Sequence, residues 1–178
     1  MKSIILPCTP IECEKIAKGD MSILVRKKVP KETPFKAYIY CTWGNPKENY
    51  ALGKKGKVIG EFTCDKVEKY EPHVILSAHY EVNGAYVEEK LRYNKGTSLS
   101  YEDMVKKSNS KTLRGLCISN LKIYDEPKEL NEFRKPCVYV SWKCDGCGLA
   151  ECGEGYFVCG NRVTQAPREY VYVRNLEK

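Results

Sequence analysis

An α+β fold, a mixed β-barrel with a few short helices, is the class this sequence predicts, and three observations predict it. Short stretches such as SILVR, KAYIYCT and EYVYVR alternate their residues with the period of two that a strand needs. Turn-forming residues, among them Gly19, the glycines of GKKG and Asn83-Gly84, separate these stretches at short intervals. Helical patterns are few and span at most roughly two to three turns. Closing several short strands on themselves removes exposed edges, which favours a barrel over an open sheet.

The first helix begins at Thr9-Pro10-Ile11-Glu12, where Thr9 suits the N-cap, Pro10 the first helical position and Glu12 the capping box. Cys13, Ile16 and Ala17 share one face, and Gly19 is a natural C-terminal stop. Residues 22–26 then form a strand with Ile23 and Val25 on one side and Leu24 and Arg26 on the other. A second strand over 36–42 places Ala37, Ile39 and Cys41 opposite Tyr38, Tyr40 and Thr42. A lysine-bearing turn at 53–56 leads into a third strand over 58–67. Residues 73–78 and 85–88 are weaker strand candidates joined through Asn83-Gly84. Ser100 caps a short helix over 101–107, and 106–111 is a polar loop. A strand over 116–124 is interrupted near Asn120, a short helix covers 127–133, and the last strand, 169–174, alternates Tyr170 and Tyr172 against Val171 and Val173.

At 178 residues the chain is one domain, long enough to bury a core without disulfides. No apolar run approaches the roughly 18 residues of a membrane span. MKSIILPCTP is too soon broken by Pro7 and Pro10 for a signal peptide, so a cytoplasmic protein is expected, with no membrane partner. In that compartment ten cysteines are free thiols or metal ligands rather than disulfides. The net charge of +7 is concentrated: Arg26 to Lys57 holds nine basic and two acidic residues, and the rest of the chain is balanced at 21 of each. Confinement to one segment implies a local positive field, the footprint of a nucleic acid or another polyanion; a solvated lysine-rich loop is the plainer alternative.

The order of these segments resembles the ASCH domain family of the PUA-like superfamily. An N-terminal strand, a short helix ending in glycine, a strand carrying Arg26, then PFKAYIYCT and GKVIGEFTCDKV follow that family's plan. ISNLKIYDEPKELNEF and QAPREYVYV are similar to a phage- and prophage-associated branch of it. The resemblance implies a single PUA-like domain over 1–178, a cleft beside the early helix and a nucleic-acid-related role, most often with RNA. Members of the family carry Gly-x-Lys-Thr-x-Glu-x-Arg after the helix; here Gly19 and Arg26 match, while Met21, Ser22 and Leu24 replace the Lys, Thr and Glu. Some members hydrolyse an acylated cytidine with a cleft lysine and a threonine, the latter at the position of Leu24. Methionine and leucine supply neither nucleophile nor base, so no catalytic residue is assigned. His73 and His79 lie near apolar neighbours and are read as structural or exposed.

The expected site is therefore a binding site. Arg26 offers a planar fork to a phosphate or a base edge, or else an internal ion pair with Glu61. Lys27, Lys28, Lys31, Lys54 and Lys55 supply charge around it. Tyr40 and Trp43, with Tyr38 beside them, can stack bases or pack in the core; Trp43 precedes Gly44-Asn45-Pro46 and is the more exposed. A small hydrolase acting on a modified nucleoside or RNA, and a protein-interaction module with an acidic partner, are the alternatives.

Residues 137–163 form a cysteine-rich insert before the last strand. CVYVSWKCDGCGLAECGEGYFVC packs five cysteines into 23 residues, with a C-x-x-C at Cys144 and Cys147 suited to gripping a Zn²⁺ ion. The family resemblance implies Cys137, Cys144, Cys147 and Cys159 as the ligands; Cys144, Cys147, Cys152 and Cys159 is the other set. Four thiolates leave no position for water, so such a zinc is structural. Cys8, Cys13, Cys41, Cys64 and Cys117 fall in strand or helix patterns and are read as small core residues. The purified protein should hold about one zinc per chain by elemental analysis, and Cys144→Ser with Cys147→Ser should release it.

Overall fold

The chain begins with β1 (Lys2–Cys8), whose Ile4, Ile5 and Leu6 are all fully buried; consecutive buried residues mark a strand covered on both faces. The computed structural model describes residues 1–44, 55–71, 96–97, 99–136 and 162–175. After β1 the helix α1 (Pro10–Lys18) starts as its residues require. Thr9 accepts from the Glu12 N–H, the Glu12 side chain accepts from the Thr9 N–H, and Gly19 ends the helix at φ +81°. Cys13 and Ile16 turn inward against β1 and the strand that follows later, β3 (Phe35–Cys41). The short β2 (Ile23–Arg26) lies between them in sequence but in a different sheet.

The remaining strands are β4 (Val58–Cys64), β5 (Val67–Tyr70), β6 (Leu113–Cys117), β7 (Ser119–Lys128) and β8 (Val171–Val173). A second helix, α2 (Tyr101–Ser108), is capped by the Ser100 side chain and stopped by Asn109 in the left-handed conformation. Five strands form one sheet in the order β7-β4-β3-β1-β8, with β1 parallel to β3 and the other pairs antiparallel. Three strands form the second, in the order β2-β6-β5, all antiparallel. Leu24 and Leu116 of the small sheet pack with Ile4, Leu6, Ala37, Ile39 and Phe62 of the large one, so the two sheets enclose one core. The outer face of the large sheet buries Ile5, Tyr38, Tyr40 and Val58 with Phe133 and Val163, and the rings of Tyr38 and Phe133 meet edge-on at 4.9 Å. Behind the small sheet, Met104 of α2 covers Val25, Tyr70 and Leu113.

This is the α+β class expected, and several boundaries differ from the sequence reading. The strand expected over 58–67 is two strands in two sheets, because the chain turns at Asp65-Lys66. The strand expected over 116–124 is likewise split: β6 ends at Cys117, β7 starts at Ser119, and Asn120 takes φ +48°. The helix expected over 127–133 is a continuation of β7 followed by a single 3₁₀ turn, Leu130–Glu132; β7 is an edge strand, where Pro127 removes no needed donor. Cys8, Cys13, Cys41 and Cys64 are buried and Cys117 half-buried, and burial pushes the Cys64 thiol up to about 12. The strand candidates at 73–78 and 85–88, the Asn83-Gly84 turn, His73, His79, Lys54 and all five cysteines of the insert lie outside the described residues.

Gly60 holds β4 against β7: a Cβ there would stand 2.5 Å from the Lys122 carbonyl oxygen and 3.1 Å from Ile123 Cα, both backbone atoms that no rotamer change can move. Gly60→Ala should destabilise the protein by about 1–3 kcal/mol, read as a lower urea midpoint with an unchanged slope.

Candidate functional site

Arg26 ends β2 beside α1, and its guanidinium is already engaged. Nη1 donates to Glu12 Oε1 at 2.8 Å and Nη2 to Glu12 Oε2 at 3.0 Å, while further bonds reach the carbonyls of Pro7 and Val25 and the sulfur of Cys8. The two side chains are only 14% and 16% exposed. Lys107 of α2 comes within 3.9 Å of the same carboxylate. Burial pushes the Glu12 carboxyl up, but Arg26, the Thr9 N–H and Lys107 outweigh it, and its pKa is lowered below the ordinary 4.5. Lys107 is pulled down by burial and by Arg26, against the raising effect of Glu12. Arg26 thus forms an internal ion pair, as the alternative expected, but with Glu12. Glu61 instead pairs with Lys36 at 3.2 Å and accepts a hydrogen bond from the Tyr124 hydroxyl.

The positive hollow lies next to this pair. A cavity of about 630 Å³ is walled by Lys27, Lys28 and Lys31 after β2, by Lys69 of β5 and by Arg114 of β6, with Val29, Val67 and Tyr170 as its apolar part. Strand register explains the convergence: Arg26 pairs with Arg114 across β2 and β6, and Arg114 pairs with Lys69 across β6 and β5. Three cations therefore stand on one rung of the small sheet. Directly opposed like charges destabilise an antiparallel pair, and Glu12 offsets only Arg26. Among the described residues Lys27, Lys31, Lys69 and Arg114 make no ion pair, while Lys28 reaches Glu169 at 3.1 Å.

Three of the lysines read from the sequence, Lys27, Lys28 and Lys31, are brought together; Lys55 is not among them, and Lys54 lies outside the described residues. Lys55 sits in the turn before β4 near the Cys41 thiol, which a hydrogen bond from Cys13 and then the charge of Lys55 hold low despite burial. Tyr40 is 3% exposed and packed in the outer core, so it presents no ring face to a base. Tyr38 is fully buried and bonds Asn175 through its hydroxyl. Trp43 is 70% exposed, and its indole lies against Gly56, where a Cβ would stand 2.8 Å from Cζ2. It lines a separate hollow of about 510 Å³ with Asn131, Thr164 and Gln165. Lys69, Arg114 and Tyr170 were missed because charge was read along the chain; the signal was the pairing of β5 with β6, which linear sequence does not display. Met21 and Leu24 are buried in the central core and contribute packing there. Among the described residues no cluster of Cys, His, Asp or Glu forms a metal site, and no helix is long and apolar enough to cross a membrane.

The fold is similar to that of ASCH from Zymomonas mobilis, a crystal structure with a TM-score of 0.57 and 14% identity over 97% of this chain and 88% of that one. Crystal structures of two mutants of that protein give TM-scores of 0.58, with 14% and 13% identity, covering 98% and 97% of this chain and 91% and 89% of theirs. At such identity the likeness establishes an ASCH-like fold. No family model matches the chain, and no curated protein matches its sequence.

Glu12→Gln should leave the Arg26 guanidinium buried without its anion and cost about 3 kcal/mol at neutral pH. Because the folded pKa of Glu12 is depressed, its stabilisation is complete above the ordinary 4.5 and is lost as pH falls through the folded value. Urea midpoints measured from about pH 2 to 7 should therefore show the two proteins converging in acid.

Proposed function

We propose that the protein binds nucleic acid, single-stranded RNA first of all, and seats backbone phosphates in the hollow between the small sheet and Tyr170. One observation carries this reading: Arg114 and Lys69 face each other as direct strand partners, with Lys27 and Lys31 at the same hollow, and none of the four is ion-paired among the described residues. A sheet built only for stability would place opposite charges at such a rung. A polyanion relieves the repulsion, and release of its counterions supplies the driving force. The ASCH-like fold and the resemblance of the sequence to that family support RNA as the polyanion, since that resemblance implies a role most often connected with RNA.

The variant Lys27→Ala, Lys31→Ala, Lys69→Ala, Arg114→Gln tests it. Removing like charges should leave stability unchanged or slightly raised, so lost binding is not lost folding. Affinity for an oligouridylate should fall steeply, and the slope of log K against log salt should shrink by about 0.7 for each phosphate contact removed. An unchanged slope and affinity would sink the reading. A DNA strand of the same sequence, run in parallel, reports whether the 2′-hydroxyl contributes.

A further inference from the structure

Three hollows share walls. Lys28 and Tyr170 border both the cationic hollow and a second one of about 630 Å³ formed by the segment before β8. Val163, Gln165 and Ala166 in turn border both that second hollow and the one beside Trp43. Shared residues thus link the three in one series from the Lys69–Arg114 rung, along residues 163–171, to the exposed indole. Its chemistry changes along the way. The first end is cationic. The middle keeps Lys135 and Arg168, and its carboxylate, Glu169, is paired with Lys28. The far end has an aromatic face, the exposed amides of Asn131 and Gln165 and the hydroxyl of Thr164, and its carboxylate Glu129 is tied to Lys57 at 2.8 Å.

We infer that this series of hollows is one extended binding track for single-stranded RNA, entered by phosphates at the Lys69–Arg114 end and closed at the other by a base stacked on Trp43. The inference rests on the proposed function and adds a second subsite with a different role. The face of Trp43 is solvent-facing where a folded core would hide it, and Gly56 supports the ring from below because it has no Cβ to hold the indole away. Amide side chains beside a stacking platform can pair with the edge of an unstacked base, which duplex RNA does not offer. Acidic groups along the route are already neutralised by lysines, so the path does not repel a phosphate chain.

Length dependence separates the subsites. Binding of oligouridylates from about 4 to 16 nucleotides should strengthen with length up to a plateau. Trp43→Ala should weaken the plateau about tenfold, leave the shortest oligomers unaffected and keep the salt slope, since stacking releases no counterions. Trp43→Phe should restore most of the loss, and an oligomer with abasic sugars throughout should bind both proteins alike. An equal loss at every length, or none at any length, would overturn the extended track while leaving the cationic hollow in place. If the unaltered protein binds no oligomer at all, the proposed function fails and the track with it.

Discussion

The ion pair between Glu12 and Arg26 is the point at which four parts of the chain are tied. Glu12 belongs to the first turn of α1 and closes its capping box; Arg26 ends β2 and reaches the last residues of β1 through the Pro7 carbonyl and the Cys8 sulfur. Lys107 brings in α2. Taking such charges out of water is expensive, and the Coulomb attraction offsets it only when the remaining donors and acceptors are also satisfied. Here both carboxylate oxygens and both terminal guanidinium nitrogens are used. This contact, together with the packing of Leu24 and Leu116 beside Cys13 and Ile16, fixes the small sheet against α1.

The pair also divides the cations into two populations. Arg26, Lys36 and Lys57 are matched to Glu12, Glu61 and Glu129, and they hold elements together. Lys27, Lys31, Lys69 and Arg114 have no such match among the described residues and gather about one hollow. Proximity in sequence does not distinguish the groups, since Arg26 and Lys27 are neighbours. What distinguishes them is whether a carboxylate lies within reach.

Much of the fold was legible because local chemistry decided it. Thr9, Pro10, Glu12 and Gly19 mark both ends of α1, Ser100 starts α2, and the alternation of Ala37, Ile39 and Cys41 against Tyr38 and Tyr40 assigns β3 to its two cores. The corner at Asp65-Lys66 was not legible, because neither glycine nor proline marks it and both flanks favour strand. The tail of β7 was misread since Pro127, at the head of KELNEF, imitates a helix opening. In the site, the cluster Lys27, Lys28 and Lys31 was visible as a run of charge. Its completion by Lys69 and Arg114 was not, because it depends on register across three strands. Arg26 was assigned the wrong acid: Glu12 lies in the helix just before it, but only the return of β2 alongside α1 brings the two together.

The pairing of β1 with β8 sets the order in which the molecule can be completed. Ser3 lies opposite Val173, so β1 has one neighbour that is synthesised long after it. Until then the outer margin of β1, with its run of Ile4, Ile5 and Leu6, offers an unpaired and greasy backbone to any other extended chain. Folding that must wait for so distant a closure is slow by nature, and the nascent chain spends that interval exposed to mispairing, the circumstance in which a chaperone is most useful.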